Sequence, residues 1–267
     1  MSIDKHYDQS LDPAALLQDV QSAYPDGASL FQLAPVDQLH IGGIKASQRL
    51  LRHLTPKQRV LDIGSGAGGL MRQAAGLGIS MIGLDITHAL NRLNRGLNQC
   101  LDEPVSTSIL TADAHDLPFA AHSIDSILFQ HSFLNMPRHD RVLSECRRIL
   151  RPGGKLIMHE VVRGENPDNM RYPVPWAQEK TQSHLLTAEA LRQQLLEAGF
   201  SDLAIEDWSA DALTWRQRQL KKEESGQPER VALSPARVLG SRFAEMARNL
   251  VLNLESDAVR VIEVVAK

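Results

Sequence analysis

The chain has 267 residues, 43% of them hydrophobic, enough for one α/β domain with a sizeable buried core, alone or with an insertion. A formal net charge of −3 gives no basic footprint for nucleic acid, and no stretch approaches the ~20 apolar residues of a membrane span. Cys100 and Cys146 are too far apart to suggest a disulfide or a metal site, and they suit buried thiols in a reducing cytoplasm.

Residues 1–12 are polar and lack the apolar segment of a secretory signal. Gln38-Leu39-His40-Ile41-Gly42-Gly43 then precedes helical spacing over 44–54. A strand over 59–63 runs into a turn of almost no side-chain bulk, followed by a helix over 67–77. Further strands fit 81–85, 105–112, 124–130 and 155–161, with helices over 88–100, 138–150 and a short one near 114–117. This alternation predicts a parallel sheet covered on both faces. Arg151-Pro152-Gly153-Gly154 reads as a helix stop and turn before the fifth strand.

Beyond Val162 the alternation lapses. Residues 163–186, with three prolines and Trp176, read as a long loop over one end of the sheet. Thr187 is placed to cap a helix reaching Ala198, closed by Gly199. Strands fit 200–208 and 258–266. Between them lie helical patterns over 211–224 and 234–254, parted by Gly226-Gln227-Pro228, too long a connection for a loop. The domain organisation expected is an N-terminal helical cap and entrance segment over 1–57, a core over 58–208 and 258–267, and a helical insertion over 209–257.

The chemistry centres on Val60-Leu61-Asp62-Ile63-Gly64-Ser65-Gly66-Ala67-Gly68-Gly69. A strand, a bare glycine turn and a helix N-terminus let backbone N–H groups approach a ligand closely. Gly64, Gly66 and Gly69 also fit the dinucleotide fingerprint, so an NAD-dependent oxidoreductase competes at this point. Asp62 weighs against a pyrophosphate, which it would repel, and for a ligand with an ammonium or sulfonium charge. Asp85, about twenty residues beyond the turn, sits where an acid accepts ribose hydroxyls of either cofactor.

Four motifs in order, D-x-G-x-G-x-G (Asp62, Gly64, Gly66, Gly68), G-x-D (Gly83, Asp85), A-D-A-x-x-L-P-F (Ala112 to Phe119) and R-P-G-G, resemble the class I S-adenosylmethionine-dependent methyltransferases. The resemblance implies a Rossmann-like, mostly parallel seven-stranded sheet with helices on both faces, strand order 3-2-1-4-5-7-6, and helices inserted before the last strand. It implies that Asp62 faces the methionyl amino group and Asp85 the ribose. Gly64 to Gly68 would leave room for the cofactor. Asp113 would accept the adenine amino hydrogen, Ala114 would offer its N–H, and Ile86 and Leu117 would flank the adenine. Gln38, Ser65 and Gln130 complete the expected cofactor set.

Gln38 to Gly43 resembles the H-x-G-G entrance segment of small-molecule members, among them sarcosine/dimethylglycine, phosphoethanolamine and quinone-biosynthesis methyltransferases. There Gly42 and Gly43 are placed to donate N–H groups to the cofactor carboxylate. Gln130-His131-Ser132-Phe133-Leu134-Asn135-Met136 resembles the Q-H-x-x-x-N-M run of the same relatives. His131 and His40 are the catalytic candidates, since a neutral imidazole can take a proton or hold a hydrogen bond. Tyr24, Asn135, Tyr172 and Trp176 are candidates for an acceptor pocket, and Arg163 or Arg171 for an acceptor carboxylate. His115, His122, His139 and His159 lack metal-like spacing, and no metal is expected.

The expectation is therefore a cytoplasmic enzyme that methylates a small polar metabolite, with an amine nitrogen favoured. Oxygen, sulfur or carbon acceptors, the oxidoreductase and a non-catalytic cofactor-binding protein are the alternatives. No nucleic acid or membrane partner is expected, and a homodimer stays open.

Overall fold

A computed structural model describes residues 11–225 and 233–267. Residues 1–10 and the expected Gly226-Gln227-Pro228 break lie outside these described residues. Strands β1 (Val60–Ile63), β2 (Met81–Asp85), β3 (Ser108–Thr111), β4 (Ile124–Gln130) and β5 (Leu150–Arg163) pair in parallel. β7 (Val259–Ala266) runs antiparallel between β5 and β6 (Ala204–Asp207). The order across the sheet is β3-β2-β1-β4-β5-β7-β6, as the resemblance implied. All four residues of β1 are buried, as expected of a central strand covered by helices on both faces. The strand order reverses beside β1, so the crevice outside the carboxyl ends of β1 and β4 is where a ligand site is expected.

Among the described residues three helices precede the sheet: α1 (Pro13–Ala23), α2 (Leu30–Asp37) and α3 (Gly43–Leu51). Asp12 caps α1 by accepting from the N–H groups of Ala14 and Ala15, and Ser29 forms a capping box with Gln32 at α2. The sheet is then covered by α4 (Gly69–Ala75), α5 (His88–Gln99), α6 (His139–Ile149) and α7 (Ala188–Glu197). Thr187 caps α7 through the N–H of Ala190, as its position predicts. On α5, Leu90, Leu93 and Leu97 recur at helical spacing and are buried. Its buried asparagines are used: Asn91 Nδ2 donates to Asp85 O and Thr111 Oγ1, tying the ends of β2 and β3 together.

Several local expectations fail for physical reasons. Residues 114–117 form a turn, because Asp113 Oδ1 accepts the N–H of His115 and offers the backbone an alternative to a helix. Arg151-Pro152-Gly153-Gly154 lies inside β5, where the register against β4 shifts between the Ile124–Leu150 and Ser126–Lys155 pairs and Gly153 takes φ +77°. The late helical pattern breaks at Gly240 (φ +84°) into α9 (Ala236–Leu239) and α10 (Phe243–Glu255), which follow α8 (Ser209–Glu224). Among the described residues no helix is long and apolar enough to cross a membrane.

Candidate active site

A cavity of about 420 Å³ opens at the carboxyl ends of β1, β2, β3 and β4. Its wall takes Asp62, Gly64, Ser65 and Gly66 from the first strand end, Asp85 and Ile86 from the second, and Asp113, Ala114 and His115 from the third. Gln130, His131 and Asn135 come from the fourth, Leu39 and His40 from the α2–α3 link. Trp176, Thr181, Gln182 and His184 of the loop over 163–186 complete the far side.

The glycine turn is held by β2, since the N–H groups of Gly64 and Ser65 both donate to Leu84 O (2.7 and 3.1 Å). Its glycines serve different ends. A Cβ on Gly64 would lie 2.3 Å from Ser132 Cβ, and one on Gly68 would lie 2.0 Å from Asn94 Oδ1. Both therefore allow close packing of protein on protein. Gly66 alone of the three borders open space, its nearest neighbour being Gly64 O at 4.0 Å. The room expected along Gly64 to Gly68 is thus concentrated at Gly66.

The carboxylates differ in how they are satisfied. Asp85 Oδ2 accepts from Gly66 N–H (2.9 Å) and Oδ1 from Thr87 N–H (2.8 Å), although burial still holds its carboxyl above the ordinary range. Asp113 is desolvated too, but the N–H and ring of His115 hold its carboxyl below the usual value. Asp62 is 2% exposed, lines the cavity and accepts no hydrogen bond from the described residues. Burial, and then the neighbouring Asp85, push its carboxyl up to about 7. A buried carboxylate without a partner is costly, and a cation beside it relieves the cost. Ser65 Oγ, His131 Nε2 and Asn135 Oδ1 are likewise buried without partners. A ligand with an ammonium, a sulfonium and several hydrogen-bonding groups fits this set; a pyrophosphate does not.

Behind the wall, Arg72 binds Asp37 (3.0 Å), Asn94 Oδ1, Asn98 Oδ1 and Ala67 O, so one buried guanidinium fastens α2 and α5 to the glycine turn. Near the fourth strand end, His131 takes φ +53°, a strained conformation for a side chain of this size, and its N–H donates to His159 O (2.9 Å). Buried Glu160 holds the following turn through Oε1, which accepts from Ser132 and Phe133 N–H at 2.9 Å each.

His131 stacks on His159 with centroids 5.1 Å apart, and His40 lies 6.1 and 6.4 Å from the two. Nε2 of His159 donates to Ile41 O and Nε2 of His40 to Gly43 O, both at 3.0 Å, since a carbonyl only accepts. Burial drives all three toward neutrality, His40 to about 3, His159 to about 4 and His131 well below its ordinary value. Sequence reasoning set His159 aside and did not anticipate His184 or Glu160. The available signal was position: His159 and Glu160 stand in β5, beside the β4 strand end that carries His131.

Some candidate residues lie off the cavity wall. Gly42 and Gly43 face the C-terminal part: a Cβ on Gly42 would lie 2.4 Å from Trp208 Cη2, and one on Gly43 3.4 Å from Trp215. The N–H of Gly43 already donates to His40 O. Gln38 is buried behind the wall, accepting from Ser47 Oγ (2.7 Å), which in turn meets Gln130. Leu117 packs into the core among residues such as Ile124 and Leu143, its N–H donated to Glu145. Tyr24 packs against the α1–α5 cluster, and Tyr172 against the apolar cluster containing Trp176 and Trp208. Arg163 donates to Leu185 O, and neither it nor Arg171 lines the cavity. Asn253 is buried and clamps the N–H and carbonyl of Arg171.

Residues 61–158 match the family model described as a methyltransferase domain. The sarcosine/dimethylglycine N-methyltransferase of Halorhodospira halochloris is 30% identical over 171 residues, covering 61% of this chain and 59% of the relative. A ubiquinone/menaquinone biosynthesis C-methyltransferase of Paraburkholderia phytofirmans is 28% identical over 202 residues, 69% of this chain and 81% of the relative. The solved Haemonchus contortus phosphoethanolamine N-methyltransferase 2, in complex with S-adenosyl-L-methionine, superposes with a TM-score of 0.72 at 18% identity. That match covers 92% of this chain and 56% of the other. The chain thus spans under two thirds of the length of the first and third of these proteins.

Proposed function

We infer that this chain, which belongs to the class I S-adenosylmethionine-dependent methyltransferases, transfers a methyl group to an amine nitrogen of a small molecule. The observation that carries the reading is Asp62, a buried carboxylate facing the cavity without a partner among the described residues. S-adenosylmethionine supplies a methyl group on a sulfonium, already activated for in-line displacement.

The chain's own residues then bind and align. Asp62 holds the methionyl ammonium, and Asp85, fixed by two backbone N–H groups, receives the ribose hydroxyls. Asp113 keeps an oxygen for the adenine amino group while His115 holds the other, and Ile86, 44% exposed beside the cavity, covers the ring. Alignment and exclusion of water supply most of the acceleration in such a reaction. His131 meets the acceptor: its neutral ring accepts an N–H and turns the nitrogen lone pair toward the methyl group. His40 has its Nε2–H committed to Gly43 O, which makes it a positioning residue for the entrance turn. Gln38 acts in the same sense on Gln130 through Ser47.

A methylated carbon is the second reading, supported by the C-methyltransferase among the relatives. Labelled-methyl transfer into a small-molecule extract, with mass identification of the product, tests the proposal. Label on nitrogen is expected. Label on carbon transfers the case to the second reading, and absence of label leaves a non-catalytic binding protein.

A further inference from the structure

We propose, on the premise that an amine is methylated here, that the acceptor is an amine on an apolar body that carries no phosphate or carboxylate. The charged side chains on the cavity wall are Asp37, Asp62, Asp85 and Asp113, and among the described residues no lysine or arginine lines it. Arg72 balances Asp37 but spends its guanidinium on Asp37, Asn94, Asn98 and Ala67 O behind the wall. Of the histidines on the wall, His40 and His131 are held neutral by burial, His115 is spent on Asp113, and His184 stands on the far side in the loop over 163–186. The cofactor brings an ammonium and a sulfonium against one carboxylate, a net charge that does not neutralise Asp62, Asp85 and Asp113 together. The loaded cavity therefore stays negative, which draws in a cationic amine and repels an acidic group.

The acceptor side carries an apolar stretch beside Asn135, Thr181, Gln182 and His184. Met136, Pro137, Pro175, Trp176 and Leu239 line it, and the one polar atom of the Trp176 side chain, Nε1, donates to Ser183 Oγ (3.1 Å). An apolar body meets these side chains without stranding a polar group. Sarcosine carries a carboxylate and phosphoethanolamine a phosphate, so this cavity departs in charge from what the names of those relatives require. The bound ammonium first gives up a proton to solvent; the freed lone pair then forms the new N–C bond as the S–C bond breaks, and the positive charge passes from sulfur to nitrogen.

The test uses the full chain, labelled S-adenosylmethionine and a small-molecule extract of the organism that makes the protein, with products first separated from unreacted S-adenosylmethionine and then passed over a cation exchanger at neutral pH. Label in the retained, net cationic fraction is expected to exceed that in the flow-through by about tenfold or more. N-methylated zwitterions or phosphate esters in the flow-through overturn this inference and leave the N-methylation reading standing. An uncharged O- or C-methylated product overturns both. Absence of label from protein that binds adenosylhomocysteine overturns the enzymatic reading, and this inference with it.

Discussion

The two ends of the cavity are built by different means. The end proposed for the cofactor is made of strand termini, Asp62, Asp85 and Asp113, each set by one parallel strand and the turn that follows it. The end proposed for the acceptor is assembled from pieces far apart in the chain: His131 after β4, Trp176 and His184 in the loop over 163–186, and Leu239 in α9. The first end is charged and pinned by backbone hydrogen bonds, the second mostly apolar and neutral. The difference teaches that binding of the methyl donor and choice of acceptor should be separable by mutation.

The sharpest separation comes from His131→Ala. Turnover should fall about 100-fold, the scale of a lost acid–base or orienting group, while cofactor Kd changes little. Unchanged turnover would relegate His131 to architecture. Trp176→Ala should lower kcat/KM for the acceptor about 30-fold, as expected of a buried aromatic anchor, and calorimetry should find cofactor Kd within about twofold of the parent. Equal losses in both would merge the two ends.

On the cofactor side, Asp85→Ala should raise cofactor Kd about 30-fold, since hydrogen bonds to a charged group are worth about 1.5–3 kcal/mol. Asp62→Asn should weaken S-adenosylmethionine about tenfold yet raise the Tm of the cofactor-free protein by about 2–4 °C, because it removes a desolvated charge. A variant that lost both affinity and stability would show that Asp62 has a structural partner.

The same carboxyl makes stability depend on pH. The Asp62 carboxyl sits at about 7 in the fold against an ordinary value of 3.8. Between these values the unfolded chain gives up the proton and the folded chain keeps it. Its contribution to stability therefore falls as pH rises from about 4 to about 7 and is level above that. Thermal unfolding across this window should show a steeper fall in the parent than in Asp62→Asn, the difference being the part due to Asp62.

The cofactor end was largely legible in the sequence because strand-end motifs are local. β2 and β4 begin and end where the pattern of apolar residues placed them, and Asp62, Asp85, Asp113 and Ala114 reach one cavity. Gly42, Gly43, Gly68 and Leu117 stand off the cavity wall for one shared reason. Sequence identifies a glycine or a leucine beside a motif, but the partner that decides its role is distant. Gly68 answers to Asn94, Gly42 to Trp208, and Leu117 to a core contributed by α6 and β4. The acceptor end was legible only in part. His131, Asn135 and Trp176 were anticipated, whereas the stacking of His159 on His131 depends on the pairing of β4 with β5.

The most direct test of the account is calorimetric titration of the protein with S-adenosylmethionine and with NAD at about pH 5.5 and about pH 7.5, a span across which Asp62 ionises. S-adenosylmethionine should bind about tenfold or more tightly at the higher pH, with a proton released on binding at the lower pH, and NAD should give no heat. Binding of NAD alone, or an affinity for S-adenosylmethionine that ignores pH, would contradict the role assigned to Asp62.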